Sequence, residues 1–202
     1  MTRCACLVFA LVLAAIPALA NIPAPDLCVL DNAAGSDGAV VFVLPSGAGN
    51  ALSDGRLGGV ATDATLTLTV VNSLGDPIAN YPAEDIWLVS TGGGLVTCGQ
   101  AHPDGATDAN GQTSWVQSLF AGSNSRGEDA QAYIAGDPVP TTATVYFVSA
   151  DLNGDLTVGL SDIAVFTQAL GTYNADADFN DDGNVNLSDI SLMTQGIGAV
   201  CP

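Results

Sequence analysis

The chain has 202 residues, of which 48% are hydrophobic, and it carries 21 acidic residues against three basic ones, a formal net charge of −18 at pH 7. Nucleic acid and anionic membranes are poor partners for such a chain, because they carry charge of the same sign. The balance is typical either of a secreted protein that recruits divalent cations or of one that stays soluble in a salty habitat.

Residues 1–20 have the pattern of a secretory signal. Arg3 precedes a short apolar run over 6–16, and Ala18-Leu19-Ala20 predicts cleavage after Ala20. The run is well short of the roughly 18 residues that span a bilayer, and later apolar stretches are shorter still. We therefore expect a secreted protein, extracellular or at the cell surface, with no transmembrane segment in the mature chain.

Residues 21–149 predict a β domain. Short runs rich in β-branched and aromatic residues alternate with clusters of Gly, Asp, Asn and Pro, which predicts an antiparallel β-sandwich. The polar stretch 45–63 is rich in Gly, Ser and Asp and is interpreted as a mobile loop. The predicted strands are 27–30, 40–44, 65–71, 86–90, 95–98, 113–119, 130–134 and 142–148.

Three cysteines remain after cleavage of the signal: Cys28, Cys98 and Cys201. In an oxidising compartment two of them should pair. We favour Cys28 with Cys98, because both lie in the predicted β domain, which leaves Cys201 free or available to another chain. The alternative is that all three are thiols, with the buried ones packed as small apolar groups.

The end of the chain holds two copies of one acidic segment. DLNGDLTVGLSDIAVFTQALG over 151–171 and DFNDDGNVNLSDISLMTQGIG over 178–198 are offset by 27 residues, and 11 of their 21 aligned pairs are identical. Repetition that keeps both acidic and apolar positions indicates two copies of one structural unit. The C-terminal domain is accordingly placed at 150–202.

Each copy fits the twelve-residue calcium loop, whose ligands fall at positions 1, 3, 5, 7, 9 and 12. Such a loop directs several oxygen atoms at one cation, and a bound Ca²⁺ removes the repulsion between its carboxylates. We therefore predict two Ca²⁺ sites. The ligands of the first are Asp151, Asn153, Asp155, the Thr157 carbonyl and Asp162, with Gly159 at best acting through water. Those of the second are Asp178, Asn180, Asp182, the Asn184 carbonyl, Asn186 and Asp189.

Each loop leads into a predicted amphipathic helix. Ser161 and Ser188 are good N-cap residues, and Gly171 and Gly198 stand where a helix C-cap would fall. The inward positions are predicted as Ile163, Phe166 and Leu170 in one helix and as Ile190, Met193 and Ile197 in the other. No helix is predicted before either loop, so each copy is half an EF-hand.

The two loops differ at position 6, where a left-handed backbone is favoured. Gly183 suits that conformation, whereas Leu156 costs about 1–2 kcal/mol there. We therefore expect the loop over 178–189 to bind Ca²⁺ more strongly than the loop over 151–162.

The duplicated loop-helix units over 151–198 resemble the type I dockerin repeat. This resemblance implies Ca²⁺-dependent folding and docking onto a cohesin module, usually to attach polysaccharide-degrading enzymes to a scaffold or cell surface. Dockerins commonly place Lys or Arg among their recognition positions, and this segment has neither. By the resemblance, the partner-binding positions are Leu160, Ser161, Thr167, Gln168, Leu187, Ser188, Thr194 and Gln195.

Two stretches of the β domain resemble bacterial Ig-like domains of the invasin and intimin type. They are TLTLTVVNSLGDPIANYPAEDIWL over 65–88 and TDANGQTSW over 107–115. The resemblance implies an Ig-like sandwich that serves as a spacer, adhesive or display module.

The residues available for catalysis are few. His102 is the single histidine and lies in a polar turn, and Glu84 and Glu128 flank turns where a solvated role is expected. Trp87 and Trp115 lie on predicted strands, where core packing is the commoner role, although either could stack on a sugar. We therefore expect a secreted, non-catalytic binding or anchoring protein with a cohesin-like or cell-surface partner. The alternatives are a polysaccharide-binding accessory protein or glycoside hydrolase component, and an Ig-like adhesin with structural Ca²⁺ sites.

Overall fold

A computed structural model describes residues 21–202, so the predicted signal and its cleavage site at Ala20 lie outside the described residues. Within this range the chain is mainly β, as predicted, with twelve short strands and two α-helices. The strands are β1 Val29–Asn32, β2 Ala39–Val43, β3 Gly55–Leu57, β4 Val60–Thr62, β5 Leu66–Thr69, β6 Ile86–Ser90, β7 Leu95–Thr97, β8 Gln112–Trp115, β9 Ala121–Ser123, β10 Ala130–Ile134, β11 Asp137–Ala143 and β12 Val145–Ser149. The helices are α1 Leu160–Ala169 and α2 Leu187–Gly196.

The strands form four small sheets, ordered β1-β5-β8, β11-β10-β6, β12-β2-β3-β4 and β7-β9. Pairing within them is antiparallel, except that β12 runs parallel to β2. We call residues 21–149 the β-module and residues 150–202 the C-terminal unit. Strand β12, which pairs with β2, ends at Ser149, so the C-terminal unit follows it in the chain without a linker.

The main core lies inside the β-module and follows the two-residue period of its strands. On β5, β6 and β10 buried residues alternate with partly exposed ones, which is the pattern of a sheet with one covered face. Trp115 and Phe147 are fully buried in this core. The period-2 sequence pattern therefore predicts these three strands well.

Strand β2 differs because all five of its residues, AVVFV, are buried. Val41 and Val43 belong to the main core, whereas Val40 and Phe42 belong to a second core. The second core is completed by residues of the C-terminal unit, among them Phe166, Phe179 and Met193. A continuous apolar run is typical of a strand covered on both faces, and here the C-terminal unit supplies the second cover.

The prediction of a loop over 45–63 is wrong for its second half, where β3 and β4 form a hairpin. Its turn is Gly58-Gly59, and both residues have positive φ, 56° and 78°. Two such residues suit the tight turns that join antiparallel strands. Leu52 is fully buried just before the hairpin. The hairpin was not predicted because its strands are only three residues long and lie in a segment of polar composition.

Two further strand predictions need correction. Strand β9, Ala121–Ser123, was missed because Ala, Gly and Ser have low strand propensity. The single run predicted over 142–148 is divided between β11 and β12, which lie in different sheets.

The predicted disulfide between Cys28 and Cys98 is wrong. Cys98 pairs with Cys201 across 103 residues, with a Cα–Cα distance of 5.5 Å. An isolated β-bridge pairs Thr157 with Val200, the residue just before Cys201. Cys28 is a buried thiol whose Sγ contacts the Val71 amide nitrogen at 3.4 Å, and burial raises its pKa. Sequence could not choose between these pairings, because the choice depends on where the last residues return.

Among residues 21–202, no helix has both the length and the apolar character needed to cross a membrane.

Candidate metal centre

The C-terminal unit contains two loops, and a ten-residue helix begins within the last three residues of each. We call 151–162 the first loop and 178–189 the second loop. The N-caps are Gly159 and Asn186, two residues before the predicted Ser161 and Ser188. The residue at position 9 of each loop has an extended backbone, as an N-cap does. Its backbone amide donates a hydrogen bond to the carboxylate at position 12, at 2.9 Å in both loops.

Each helix buries one narrow face that includes its loop's last carboxylate. The buried residues are Asp162, Phe166 and Ala169 in α1 and Asp189, Met193 and Gly196 in α2. Leu170 and Ile197, which were predicted to point inward, are exposed by 39% and 52% because they occupy non-helical C-cap positions. Gly171 and Gly198 follow with φ of 79° and 82°, the left-handed conformation expected after a helix end.

The first residue of each loop is a fully buried aspartate around which the backbone wraps. In the first loop, Asp151 accepts hydrogen bonds from the amides of Gly154, Asp155 and Leu156 at 2.9 to 3.1 Å. Asp178 in the second loop is held by the corresponding amides of Asp182 and Gly183, both at 3.0 Å.

The middle positions repeat a second pattern. The side-chain oxygens of Asn153 and Asp155 accept from the amides two residues on, at 3.0 and 2.9 Å. Asn180 and Asp182 do the same at 3.2 and 2.9 Å. The two copies therefore share a conformation as well as a sequence pattern, and the side chains of positions 1, 3 and 5 shape the turn in both.

Each loop places two residues in the left-handed region, at positions 4 and 6. In the first loop these are Gly154 and Leu156, with φ of 72° and 63°. In the second they are Asp181 and Gly183, with φ of 56° and 81°. Aspartate tolerates this conformation better than leucine does. Backbone strain is therefore greater in the first loop than in the second, and the first loop is the one predicted to bind Ca²⁺ more weakly.

Burial makes the charged forms of the first aspartates costly. Desolvation raises the pKa of Asp151, and the neighbouring Asp162 and Asp155 raise it further. Desolvation also raises the pKa of Asp178, although backbone hydrogen bonds and Arg126 oppose that shift. A carboxyl with a raised folded-state pKa binds more protons when folded, so stability from this source falls as pH rises through the unfolded and folded values. A dication beside these groups would offset that cost.

The donor chemistry of each loop suits Ca²⁺, although carboxylates alone do not make the site. Among residues 21–202, no three His, Cys, Asp or Glu side chains form a group that could hold a metal ion. The predicted sets also draw on the amide oxygens of Asn153, Asn180 and Asn186 and on the carbonyls of Thr157 and Asn184. Hard oxygen donors of mixed kind are what Ca²⁺ takes in proteins.

The β-module supports both loops through the segment 122–126, which sequence reasoning missed. The Ser123 amide donates to the Asp151 carbonyl at 3.0 Å, and buried Gly122 lies against the Asp151 carboxylate. Farther along, Arg126 contacts the second loop. The β3–β4 hairpin adds a bond from the Gly58 amide to Asp181 Oδ2 at 2.8 Å. Arg126 is one of two basic residues after residue 20, which was the available sequence signal.

The predicted partner-binding positions all lie on the surface. Leu160 and Leu187, the first residues of the two helices, are 84% and 79% exposed. The other six positions are exposed as well: Ser161, Thr167, Gln168, Ser188, Thr194 and Gln195.

Of the two tryptophans, Trp115 is fully buried and its indole N–H donates to the Ala101 carbonyl at 2.9 Å. Trp87 is only partly buried and stacks on Tyr133 of the neighbouring strand, with ring centroids 5.7 Å apart. His102 is partly buried rather than exposed, and its Nδ1 lies 2.7 Å from the Ile86 carbonyl oxygen. Glu128 accepts from the Gly94 amide at 2.8 Å and so holds the turn after β6.

Replacing Gly122 by alanine should destabilise the protein through a steric conflict with the first loop. An added Cβ would lie 2.0 Å from Asp151 Oδ2, and that carboxylate cannot retreat without giving up its backbone hydrogen bonds. We expect Gly122→Ala to lower the free energy of unfolding by about 1–3 kcal/mol, as overpacking of a buried site does. Urea unfolding measures this. Gly105→Ala is the control, because its Cβ would meet nothing within 4 Å. Equal effects of the two variants would contradict the close packing of Gly122 against Asp151.

A scan against models of known protein families finds no match, and a search of curated proteins finds no similar protein.

Proposed function

We propose that this chain is a secreted, non-catalytic binding or anchoring protein whose Ca²⁺-loaded C-terminal unit attaches an Ig-like β-module to a cohesin-like or cell-surface partner. The observation that carries the proposal is the repeated loop-helix geometry, in which backbone amides surround a buried aspartate in both copies. A buried carboxylate held in place by backbone amides supplies the kind of hard oxygen donor that Ca²⁺ takes in proteins.

Ca²⁺ would be held by the oxygen donors at positions 1, 3, 5, 7 and 12 of each loop, with Asn186 added in the second. The ion supplies positive charge to a region whose first and last carboxylates are all fully buried: Asp151, Asp162, Asp178 and Asp189. Position 12 has a further role, because its carboxylate also caps the helix. Ion binding and helix position are therefore linked in each of the two loop-helix copies.

The docking surface we propose contains the exposed first turns of α1 and α2. Leu160 and Leu187 occupy equivalent positions in the two copies, and both are largely exposed. A large apolar side chain fully removed from water gains about 1.5–3 kcal/mol, so a protein partner gains affinity by covering them. Polar neighbours such as Ser161 and Ser188 would supply hydrogen bonds at the rim.

A second candidate function is polysaccharide binding by the β-module, and the Trp87–Tyr133 pair favours it. The pair is partly exposed on strands β6 and β10, opposite in register, rather than buried as Trp115 is. Aromatic rings of this kind present an apolar face together with a polar edge, which suits a sugar ring.

Calorimetric titration of residues 21–202 with Ca²⁺ tests the main proposal. The whole range is needed because the core of the C-terminal unit includes Phe42 of β2, on which Phe179 packs, and a fragment would lose that support. We expect two sites, with Asp189→Ala abolishing the stronger and Asp162→Ala abolishing the weaker. Asp37→Ala, at an exposed aspartate outside the loops, is the control and should leave both sites intact. If the wild type does not bind Ca²⁺, the proposal is wrong.

Retardation in native gels that contain soluble polysaccharides tests the second candidate. Trp87→Ala should abolish any retardation because it removes the larger ring of the pair. Phe120→Ala removes an aromatic residue that is 49% exposed elsewhere on the β-module and should have no effect. If the wild type is not retarded by any plant or bacterial polysaccharide tried, this candidate is wrong.

A further inference from the structure

Arg126 reaches from the β-module into the second loop and makes three hydrogen bonds there. Its Nε donates to the Ala175 carbonyl at 2.9 Å, its Nη1 to Asp181 Oδ1 at 2.7 Å, and its Nη2 to the Asp178 carbonyl at 2.8 Å. The side chains of Arg126 and Asp181 are only 16% and 18% exposed. A planar guanidinium fixes the relative positions of several acceptors at once, which an ammonium group cannot do.

The three acceptors lie at the points where the second loop takes its shape. Asp178 is position 1, the buried aspartate around which the backbone wraps. Asp181 is position 4, where a non-glycine residue has a left-handed backbone with φ of 56°. Ala175 precedes the loop. Arg126 therefore holds the entrance of the loop and its most strained residue in one arrangement.

Among residues 21–202, no cation makes an equivalent contact with the first loop. Its position 1 carbonyl accepts from the Ser123 amide instead, and its position 4 is Gly154, which adopts the left-handed conformation with little strain. The other arginine of residues 21–202, Arg56, bonds to Asp54 at 2.6 Å and to neighbouring carbonyls of its own hairpin. Within that range, the guanidinium contact is thus particular to the second loop.

We propose that Arg126 is a positioning residue for the second calcium loop: its guanidinium, supplied by the β-module, holds the loop in the conformation that binds Ca²⁺. This inference rests on the proposed calcium function. The arrangement lowers the conformational cost of binding at the second loop, because residues already fixed need not be ordered by the ion. The affinity of that loop then depends on a residue 52 positions before its first ligand.

The charge of Arg126 must be kept constant in the test, since removing a cation near the loop would itself favour Ca²⁺. Arg126→Lys keeps the charge and removes the fork, so it isolates the positioning effect. Arg56→Lys is the matched control. In calorimetric titration of residues 21–202 with CaCl₂, Arg126→Lys should weaken one site by about fivefold or more, the size expected for losing charge-assisted hydrogen bonds. The other site, and both sites of Arg56→Lys, should stay within about twofold of wild type.

Combination with loop variants identifies which site responds. In an Asp189→Ala background, which removes the second site, Arg126→Lys should leave the remaining site unchanged; in an Asp162→Ala background its full effect should persist. If Arg126→Lys lowers the thermal midpoint equally with Ca²⁺ and with chelator and leaves both affinities unchanged, the residue only fastens the two parts together and the proposal is overturned. Absence of any Ca²⁺ binding in the wild type overturns this inference together with the proposed function.

Discussion

The burial of strand β2 on both faces is the constraint on which the rest of the structure depends. One face completes the core of the β-module, and the other, through Val40 and Phe42, forms one side of the second core together with Leu44 just after the strand. The C-terminal unit has two short helices with one narrow buried face each, and its apolar residues share one core with Val40 and Phe42 of β2. We therefore expect the C-terminal unit to depend for its stability on a strand that the β-module has already positioned.

Three other contacts reinforce this union. The Cys98–Cys201 disulfide ties the chain end to the β-module, Arg126 holds the second loop, and Gly122 lies against the first. Each joins residues far apart in the chain, and two of them contact the first aspartate of a loop, Asp151 or Asp178. A Ca²⁺ ion in either loop would therefore bind next to the β-module's own residues, so the stability of the two parts should respond to the same ion.

The parts of the structure that sequence predicted are those decided by neighbours along the chain. Loop-helix order, the glycines after each helix and the left-handed conformation of Leu156 follow from local backbone preferences, and all are present. The mainly-β class followed from strand periodicity in the same way. For the proposed metal ligands, sequence supplied the donor types and their spacing, and the structure adds that both loops share one hydrogen-bond pattern.

What sequence could not predict depends on long-range packing. The exposure of Leu170 and Ile197 depends on where each helix ends against the second core, and the choice of Cys201 by Cys98 depends on the path of the last residues. The β3–β4 hairpin was hidden by its polar composition. Arg126 could have been noticed as a rare cation, but its acceptors are known only from the fold.

Thermal unfolding of residues 21–202, followed by tryptophan fluorescence with Ca²⁺ and with chelator, tests the central claim most directly. Both tryptophans, Trp87 and Trp115, lie in the β-module, whereas the loops and helices contain none. If the two parts form one cooperative body, Ca²⁺ should raise the midpoint seen by tryptophan, since a ligand that binds only the folded state stabilises it. The helix signal in circular dichroism should then give the same midpoint. If Ca²⁺ raises the midpoint measured by circular dichroism but leaves the midpoint measured by tryptophan fluorescence unchanged, the account is contradicted.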